Sequence, residues 1–189
     1  MQNNWHQSEY SKAYRFAAEA HQGQTVPGTE LPYLMHVSLV SMEILAALAI
    51  ETERDGNLAV QCALLHDVIE DTDRGYEEVE AEFGPKVAQG VLALTKDKTM
   101  GQALQDRSQA KAVQMQDSLQ RIQQQPPEVW MVKLADRITN LAPPPHFWTK
   151  EKIARYREEA IKIHTALHGA STYLGDRLLA RIEEYEQYL

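Results

Sequence analysis

The sequence predicts a single all-α domain of eight to nine helices. Three observations favour this class: apolar residues recur at three- and four-residue spacing, proline and glycine separate the apolar runs, and no stretch shows strand-like alternation. The 189 residues are enough for one domain with a substantial core. Apolar residues make up 43% of the chain, which argues against disorder.

The first half of the chain contains five predicted helices. Gly84-Pro85 separates the last two, since proline is well tolerated in a first helical turn. The third is apolar on all sides, which is typical of a central, buried helix. The five are expected at about 13–20, 34–50, 57–71, 76–83 and 87–94.

The second half begins with a stretch rich in glutamine, residues 101–125. Its composition fits either a long polar helix or a partly mobile segment outside the helical core. The sequence leaves open whether this stretch forms a lid over a site. A strongly apolar helix is expected over 129–141, where three consecutive prolines follow. Two amphipathic helices, at about 149–168 and 172–187, complete the chain, which has no internal repeat.

Charge is unevenly distributed along the chain. The total of 19 basic and 27 acidic residues gives −8, which argues against a general nucleic-acid binder or a basic membrane-surface protein. Residues 1–90 carry 5 basic and 15 acidic side chains, residues 91–157 carry 11 and 6, and residues 158–189 carry 3 and 6. The basic middle segment is compatible with a local anion site, although ordinary variation among solvated helix faces explains it more simply.

The single cysteine, Cys62, excludes an intrachain disulfide and a cysteine zinc site. We therefore expect a cytoplasmic protein in which any metal is held by histidine and carboxylate groups. No run of about 18 apolar residues predicts a membrane span, and the polar start of the chain lacks the apolar core of a signal peptide.

Ionisable residues follow the two most apolar helical runs directly. His66-Asp67 ends one run, and Asp136 follows Leu134-Ala135 in the other. Glu70 and Asp71 come four residues after His66 and Asp67, so a helix would place each pair one turn apart on one face. Such a patch would repel itself unless a cation were bound there.

His36 follows another apolar run, which ends in Leu34-Met35. Together with His66, Asp67 and Asp136 it would complete a set of two histidines and two aspartates. A lone histidine or His-Asp pair is usually a cap or a surface feature, so the prediction depends on the set as a whole. Imidazole with carboxylate suits Mn²⁺, Fe²⁺, Co²⁺ or Zn²⁺ better than Ca²⁺. A metal in such a set can lower the pKa of water and polarise a phosphoryl group.

The chain resembles the hydrolase domain of the RelA/SpoT family, within the HD superfamily of metal-dependent phosphohydrolases. It is similar to the stand-alone members of that family, the small alarmone hydrolases. The matching blocks keep the family's order across about residues 10–170: AHQGQTVPGTELPYLMH (20–36), ALLHDVIEDT (63–72), Phe83-Gly84, TKDK (95–98) and VKLADRITNL (132–141). Pro143-Pro144, Trp148 and Tyr156 fit a tail segment of the stand-alone members.

The resemblance implies one HD domain over 1–189, with its core at about 8–170 and a C-terminal helix at about 172–187. It implies hydrolysis of the 3′-pyrophosphate of a purine alarmone such as (p)ppGpp, with one Mn²⁺ per chain. The implied metal ligands are His36, His66, Asp67 and Asp136, and Glu70 and Asp71 would orient and deprotonate the attacking water. Cationic donors stabilise phosphoryl charge, and the expected substrate contacts are His21, Thr25, Lys98, Lys133, Arg137, Asn140 and Tyr156.

One position departs from the family pattern. After Gln24 the family typically has an arginine near the purine base, whereas this chain has Thr25, which can neither stack on guanine nor donate two hydrogen bonds to it. The adenine analogue (p)ppApp is therefore a candidate substrate.

Two other functions remain open, namely an HD phosphohydrolase acting on a nucleoside monophosphate or a dNTP, and a non-catalytic nucleotide sensor. The complete set of expected ligands and acids argues against the sensor. The expected partner is a small nucleotide, with no nucleic acid and no membrane. The sequence leaves the oligomeric state open, a homodimer included.

Overall fold

A computed structural model describes residues 4–100 and 107–189 of the chain. These residues form α-helices and no strand, so the predicted all-α class is confirmed. The helices are α1 (Gln7–Ala20), α2 (Leu34–Leu48), α3 (Gly56–Leu65), α4 (Val68–Asp71), α5 (Tyr76–Phe83), α6 (Pro85–Leu94), α7 (Arg107–Gln123), α8 (Pro127–Asn140), α9 (Lys150–Leu167) and α10 (Thr172–Tyr185). Short 3₁₀ turns follow α9 at His168–Ala170 and α10 at Glu186–Tyr188.

The prediction of one continuous helix over 57–71 is wrong. The helix is interrupted at His66 and Asp67, which form a turn between α3 and α4. The reason is local: Nδ1 of His66 donates a hydrogen bond to the Ala63 carbonyl at 2.8 Å, competing with the helical hydrogen bond that this carbonyl would accept. The interruption sets His66 and Asp67 at the end of a rigid, buried helix.

Helix α3 is the centre of the domain. It packs against α1, α2, α6 and α8, and every residue from Leu58 to Leu65 is buried. This agrees with the prediction of a central helix that is apolar on all sides. Asp55 caps its N-terminus by accepting a hydrogen bond from the Leu58 amide at 3.1 Å.

The loop between α1 and α2 sets the start of α2. Thr25 and Pro32 form an isolated antiparallel bridge across this loop, and Gly28 takes a positive φ of 82°, which glycine adopts without strain. The bridge closes the loop immediately before α2, whose first turn carries His36.

Most of the glutamine-rich segment is helical. Residues 107–123 form α7, which packs against α6, α8 and α9, while residues 101–106 lie outside the described part of the chain. The polar-helix alternative is therefore correct for the portion that the structure describes. Among the described residues, no helix is long and apolar enough to cross a membrane.

Gly90 allows α6 to approach α3 and α8 closely. A Cβ atom at this position would lie 2.8 Å from Cys62 Sγ and 3.0 Å from Val129 Cγ2, and both neighbours are buried. Overpacking of this kind costs about 1–3 kcal/mol, and the better helix propensity of alanine offsets about 1 kcal/mol.

We expect Gly90→Ala to lower the free energy of unfolding by up to about 2 kcal/mol, as measured by urea denaturation. Gly169→Ala is the matched control, because a Cβ there meets no atom within 4 Å. Equal stability of the two variants would contradict the tight packing at Gly90.

Candidate metal centre and active site

Three separate parts of the fold bring the four predicted metal ligands together. His36 lies on the first turns of α2, His66 and Asp67 form the turn after α3, and Asp136 lies on α8. Because α2 and α8 both pack against α3, the end of the buried central helix is the place where the four side chains converge.

His36, His66 and Asp67 present ligand atoms that all lie within 4.8 Å of one another. The two histidine Nε2 atoms are 3.3 Å apart, and Oδ2 of Asp67 lies 2.9 Å from His66 Nε2 and 3.7 Å from His36 Nε2. Two ligands bound to one ion at about 2.1 Å are at most about 4.2 Å apart. These three groups therefore have the spacing of a shared metal site.

Asp136, on α8, lies next to the ligand atoms of His36 and His66. Its Oδ1 lies 3.5 Å from His36 Nε2 and 3.9 Å from His66 Nε2. Its Oδ2 accepts a hydrogen bond from Lys133 at 3.0 Å, and Asn140 donates to Oδ1. Burial would raise the pKa of Asp136, but Lys133 and the two histidines hold it well below its usual range, so the group stays charged.

The donor chemistry fits a divalent metal. Because Nδ1 of His66 donates to a carbonyl, a neutral imidazole presents the lone pair of Nε2 to Asp67 and His36. Facing acceptors need a proton or a cation between them. Burial would lower the pKa of His66, but Asp67 and Asp136 raise it to about 9, because their negative charges favour a positive charge at this position.

Tyr33 supports Asp67 from the start of α2. Its hydroxyl donates a hydrogen bond to Oδ2 of Asp67 at 2.5 Å. Burial and the neighbouring Asp67 raise the pKa of Tyr33, so it remains a donor at neutral pH. The Asp67 carboxylate is oriented by this hydrogen bond and keeps a pKa below its usual value through His66 and Tyr33, despite its burial.

Glu70 and Asp71 have different surroundings. They follow the metal group, the name used below for the cluster of His36, His66, Asp67 and Asp136. Both oxygens of Glu70 are engaged by Lys96, one by its ammonium group at 2.8 Å and the other by its backbone amide at 2.9 Å. Asp71 is exposed at the rim, and burial together with the charges of Asp67 and Glu70 raises the pKa of its carboxyl.

A cavity of about 230 Å³ opens over the metal group. Ten of the predicted site residues line it: His36, His66, Asp67, Glu70, Asp71, Lys133, Asp136, Arg137, Asn140 and Tyr156. The guanidinium group of Arg137 lies 4.4 Å from the centre of the Tyr156 ring, in cation–π geometry. The cavity thus combines the metal group with cationic and aromatic side chains.

The other three predicted residues do not line this cavity. His21 is buried, its Nδ1 lies 2.8 Å from Gln24 Oε1 and its ring packs against Tyr33 at 4.9 Å. Thr25 is exposed in the bridge with Pro32. Lys98 donates to the backbone carbonyl of Glu70 at 3.1 Å.

Three further polar residues line the cavity that sequence reasoning did not select, namely Tyr33, Lys96 and Glu159. Tyr33 precedes His36 by three residues, a spacing that puts both on one helix face. Lys96 belongs to the same block as Lys98, but the sequence offers no signal to choose between the two. Glu159 lies 3.7 Å from Arg137 and follows Tyr156 by three residues on α9.

The chain is similar to known proteins over most of its length. A family model described as "HD domain" matches residues 13–171. The guanosine-3′,5′-bis(diphosphate) 3′-pyrophosphohydrolase MESH1 of Danio rerio is 31% identical over 168 residues, covering 86% of each chain. A guanosine-3′,5′-bis(diphosphate) 3′-pyrophosphohydrolase of Aquifex aeolicus is 33% identical over 164 residues, covering 86% of this chain and 21% of that protein.

A solved structure is also similar. It belongs to a protein described as a metazoan ortholog of SpoT that hydrolyzes ppGpp and plays a role in starvation responses, and it superposes with a TM-score of 0.76 at 28% identity. The match covers 95% of this chain and 97% of that one. The likeness therefore extends over the whole helical domain and is not restricted to the metal group.

Proposed function

The chain belongs to the HD-domain family and is a hydrolase of the RelA/SpoT type, and we propose that it removes the 3′-pyrophosphate from a purine alarmone. The observation that carries the proposal is the cavity itself. Its lining combines His36, His66 and Asp67, which could hold a metal ion, with Lys96 and Lys133, and this combination supports hydrolysis of a phosphate ester. The names of the similar proteins support the same reaction.

The proposed reaction is a hydrolysis. The oxygen of a water molecule bonds to the phosphorus that is attached to O3′, and the bond between this phosphorus and O3′ breaks. One proton of the water passes to a base and O3′ receives a proton. The products are a nucleotide with a free 3′-hydroxyl group and pyrophosphate.

We assign the metal as Mn²⁺, one per chain, held by His36, His66, Asp67 and Asp136. Two imidazoles with two carboxylates form a donor set that suits Mn²⁺, although Fe²⁺, Co²⁺ and Zn²⁺ share this preference. When bound, such an ion polarises the phosphoryl group and lowers the pKa of water.

Asp71 is the proposed base, and Glu70 is a positioning residue. The pairing of both Glu70 oxygens with Lys96 limits this carboxylate to orienting the water and the ammonium group. The carboxylate of Asp71 lies at the rim of the cavity, where a proton can leave to solvent. The raised pKa of Asp71 makes it a better proton acceptor than an ordinary aspartate.

The experiment is incubation of the purified protein with Mn²⁺ and ppGpp, with products resolved by chromatography. We expect pyrophosphate and a nucleoside 5′-diphosphate, and no turnover after removal of metal by a chelator. Activity should return when Mn²⁺ is restored. The alternative function, hydrolysis of another nucleotide, would instead yield orthophosphate from a nucleoside monophosphate or tripolyphosphate from a dNTP, with ppGpp left intact.

The proposal also concerns the purine base of the substrate, which is adenine or guanine. Thr25 is exposed, and its side chain can neither stack on guanine nor donate two hydrogen bonds to it, as an arginine side chain can. We therefore expect (p)ppApp to be a substrate, with kcat/KM at least as high as for (p)ppGpp. Equal values would exclude a base preference, and a large advantage of (p)ppGpp would overturn the adenine assignment.

A further inference from the structure

A second cavity, of about 210 Å³, lies between α7, α8 and α9. Its apolar wall consists of Met115, Leu119 and Ile163. Gln114 and Ser118 add an amide and a hydroxyl group, and Ser118 is buried. The remaining residues that line it are charged: Lys96, Lys111, Lys133, Arg137 and Glu159.

The second cavity adjoins the one above the metal group. Lys96, Lys133, Arg137 and Glu159 line both cavities, so these four side chains form a shared wall. Each cavity alone, at about 210 and 230 Å³, is smaller than the roughly 300 Å³ at which small-molecule sites begin. Together they reach the size of such a site.

The second cavity attracts anions. Four cationic side chains and one acidic side chain line it. Nε and Nη1 of Arg137 are buried and have no hydrogen-bond partner, although unpaired buried donors are costly. The Tyr156 ring holds this guanidinium group in place at 4.4 Å. A phosphate oxygen would satisfy these donors, and the apolar wall would strengthen the attraction by lowering the local dielectric constant.

The two cavities differ in what else they offer. Tyr33, Asn140 and Tyr156 line only the first, and their aromatic and amide groups suit a nucleoside. Lys111 lines the second and not the first. A substrate that occupied both cavities would then place its nucleoside and its reacting phosphorus in the first cavity and its distal phosphate towards α7.

We infer that the second cavity is the subsite for the distal phosphate of the 3′-pyrophosphate and for the pyrophosphate that hydrolysis releases. The inference rests on the proposed function. Lys133 and Lys96 lie between the two cavities, where Lys133 pairs with Asp136 and Lys96 pairs with Glu70. Arg137 and Lys111 receive the outer phosphate. Pyrophosphate is then a product inhibitor that leaves by the side of α7, opposite the nucleoside.

The test uses the Lys111→Gln variant, because Lys111 is exposed and its replacement spares the core. Binding of pyrophosphate to the protein at a fixed Mn²⁺ concentration is measured by calorimetry, without any hydrolysis. We expect Lys111→Gln to weaken pyrophosphate binding about tenfold, as expected for loss of one charge-assisted hydrogen bond. Charge reversal in Lys111→Glu should weaken it further. Binding of a purine nucleoside 5′-diphosphate, the other product, should be unchanged.

Lys162→Gln is the matched control, since Lys162 is an exposed lysine on α9 that lines neither cavity. Equal pyrophosphate affinity in Lys111→Gln and Lys162→Gln would overturn the inference. Weaker nucleoside diphosphate binding with unchanged pyrophosphate binding would also overturn it, because the second cavity would then hold the nucleoside. The chromatographic assay with ppGpp tests the proposed hydrolysis separately, so failure of one proposal is distinguishable from failure of the other.

Discussion

Replacement of Asp67 by asparagine is expected to abolish both metal binding and hydrolysis. The Asp67 carboxylate lies 2.9 Å from His66 Nε2 and 3.7 Å from His36 Nε2, so its negative charge would act directly on an ion bound by the proposed ligands. Metal ions contribute several kcal/mol of transition-state stabilisation, so we expect kcat/KM to fall by about a thousandfold or more. The metal content of the purified protein, measured by mass spectrometry, should fall in parallel.

Thermal unfolding separates this effect from misfolding. An ion that binds only the folded state raises the melting temperature, so Mn²⁺ should stabilise the unaltered chain and leave Asp67→Asn unaffected. Asp73→Asn is the control, because Asp73 is an exposed aspartate that does not line the cavity. If Asp67→Asn retained a full equivalent of metal and its activity, the assignment of the metal centre would be wrong.

Replacement of Asp71 by asparagine is expected to lower kcat by about 10²–10⁴-fold while metal binding persists. The side chain keeps its shape but cannot accept the proton of the attacking water, and a positioned base contributes a factor of this size. The carboxylate of Asp71 is not among the ligands proposed for the metal, which are His36, His66, Asp67 and Asp136. The rise of the melting temperature with Mn²⁺ should therefore equal that of the unaltered chain.

Glu70→Gln distinguishes the roles of the two acids. Because Lys96 engages both oxygens of Glu70, this variant should disturb the position of Lys96 as well as that of water. We expect a smaller fall in kcat than for Asp71→Asn, together with a change in KM. A near-normal rate for Asp71→Asn combined with a large loss for Glu70→Gln would reverse the assignment of the base.

Much of the helical architecture follows from local sequence signals. Helix ends near Gly84-Pro85 and before Pro143 coincide with residues whose backbone restrictions act within a few positions. The error at 57–71 has a different origin. The apolar pattern resumes after His66 and Asp67 at Val68 and Ile69, so periodicity does not reveal the hydrogen bond from His66 to the Ala63 carbonyl that competes with the helix.

The contacts of the lysines could not be predicted in the same way. Lys96 and Lys98 are both exposed residues in one short block, yet Lys96 pairs with the Glu70 carboxylate while Lys98 donates to the backbone carbonyl of Glu70. Their side chains have many rotamers, and the position of α4 relative to the end of α6 selects among them. Periodicity contains no information on that choice.

The sequence by itself determined the helical class, the central position of α3 and the residue types available to bind a metal. These properties depend on apolar spacing and on the chemistry of histidine and aspartate, which are both readable from the chain. The tertiary structure alone decided that α2, the end of α3 and α8 meet at one point. It also decided that α7 and α9 enclose a second cavity beside Arg137. The physical reason is that contacts between distant segments depend on how whole helices pack, and packing is a property of many side chains acting together.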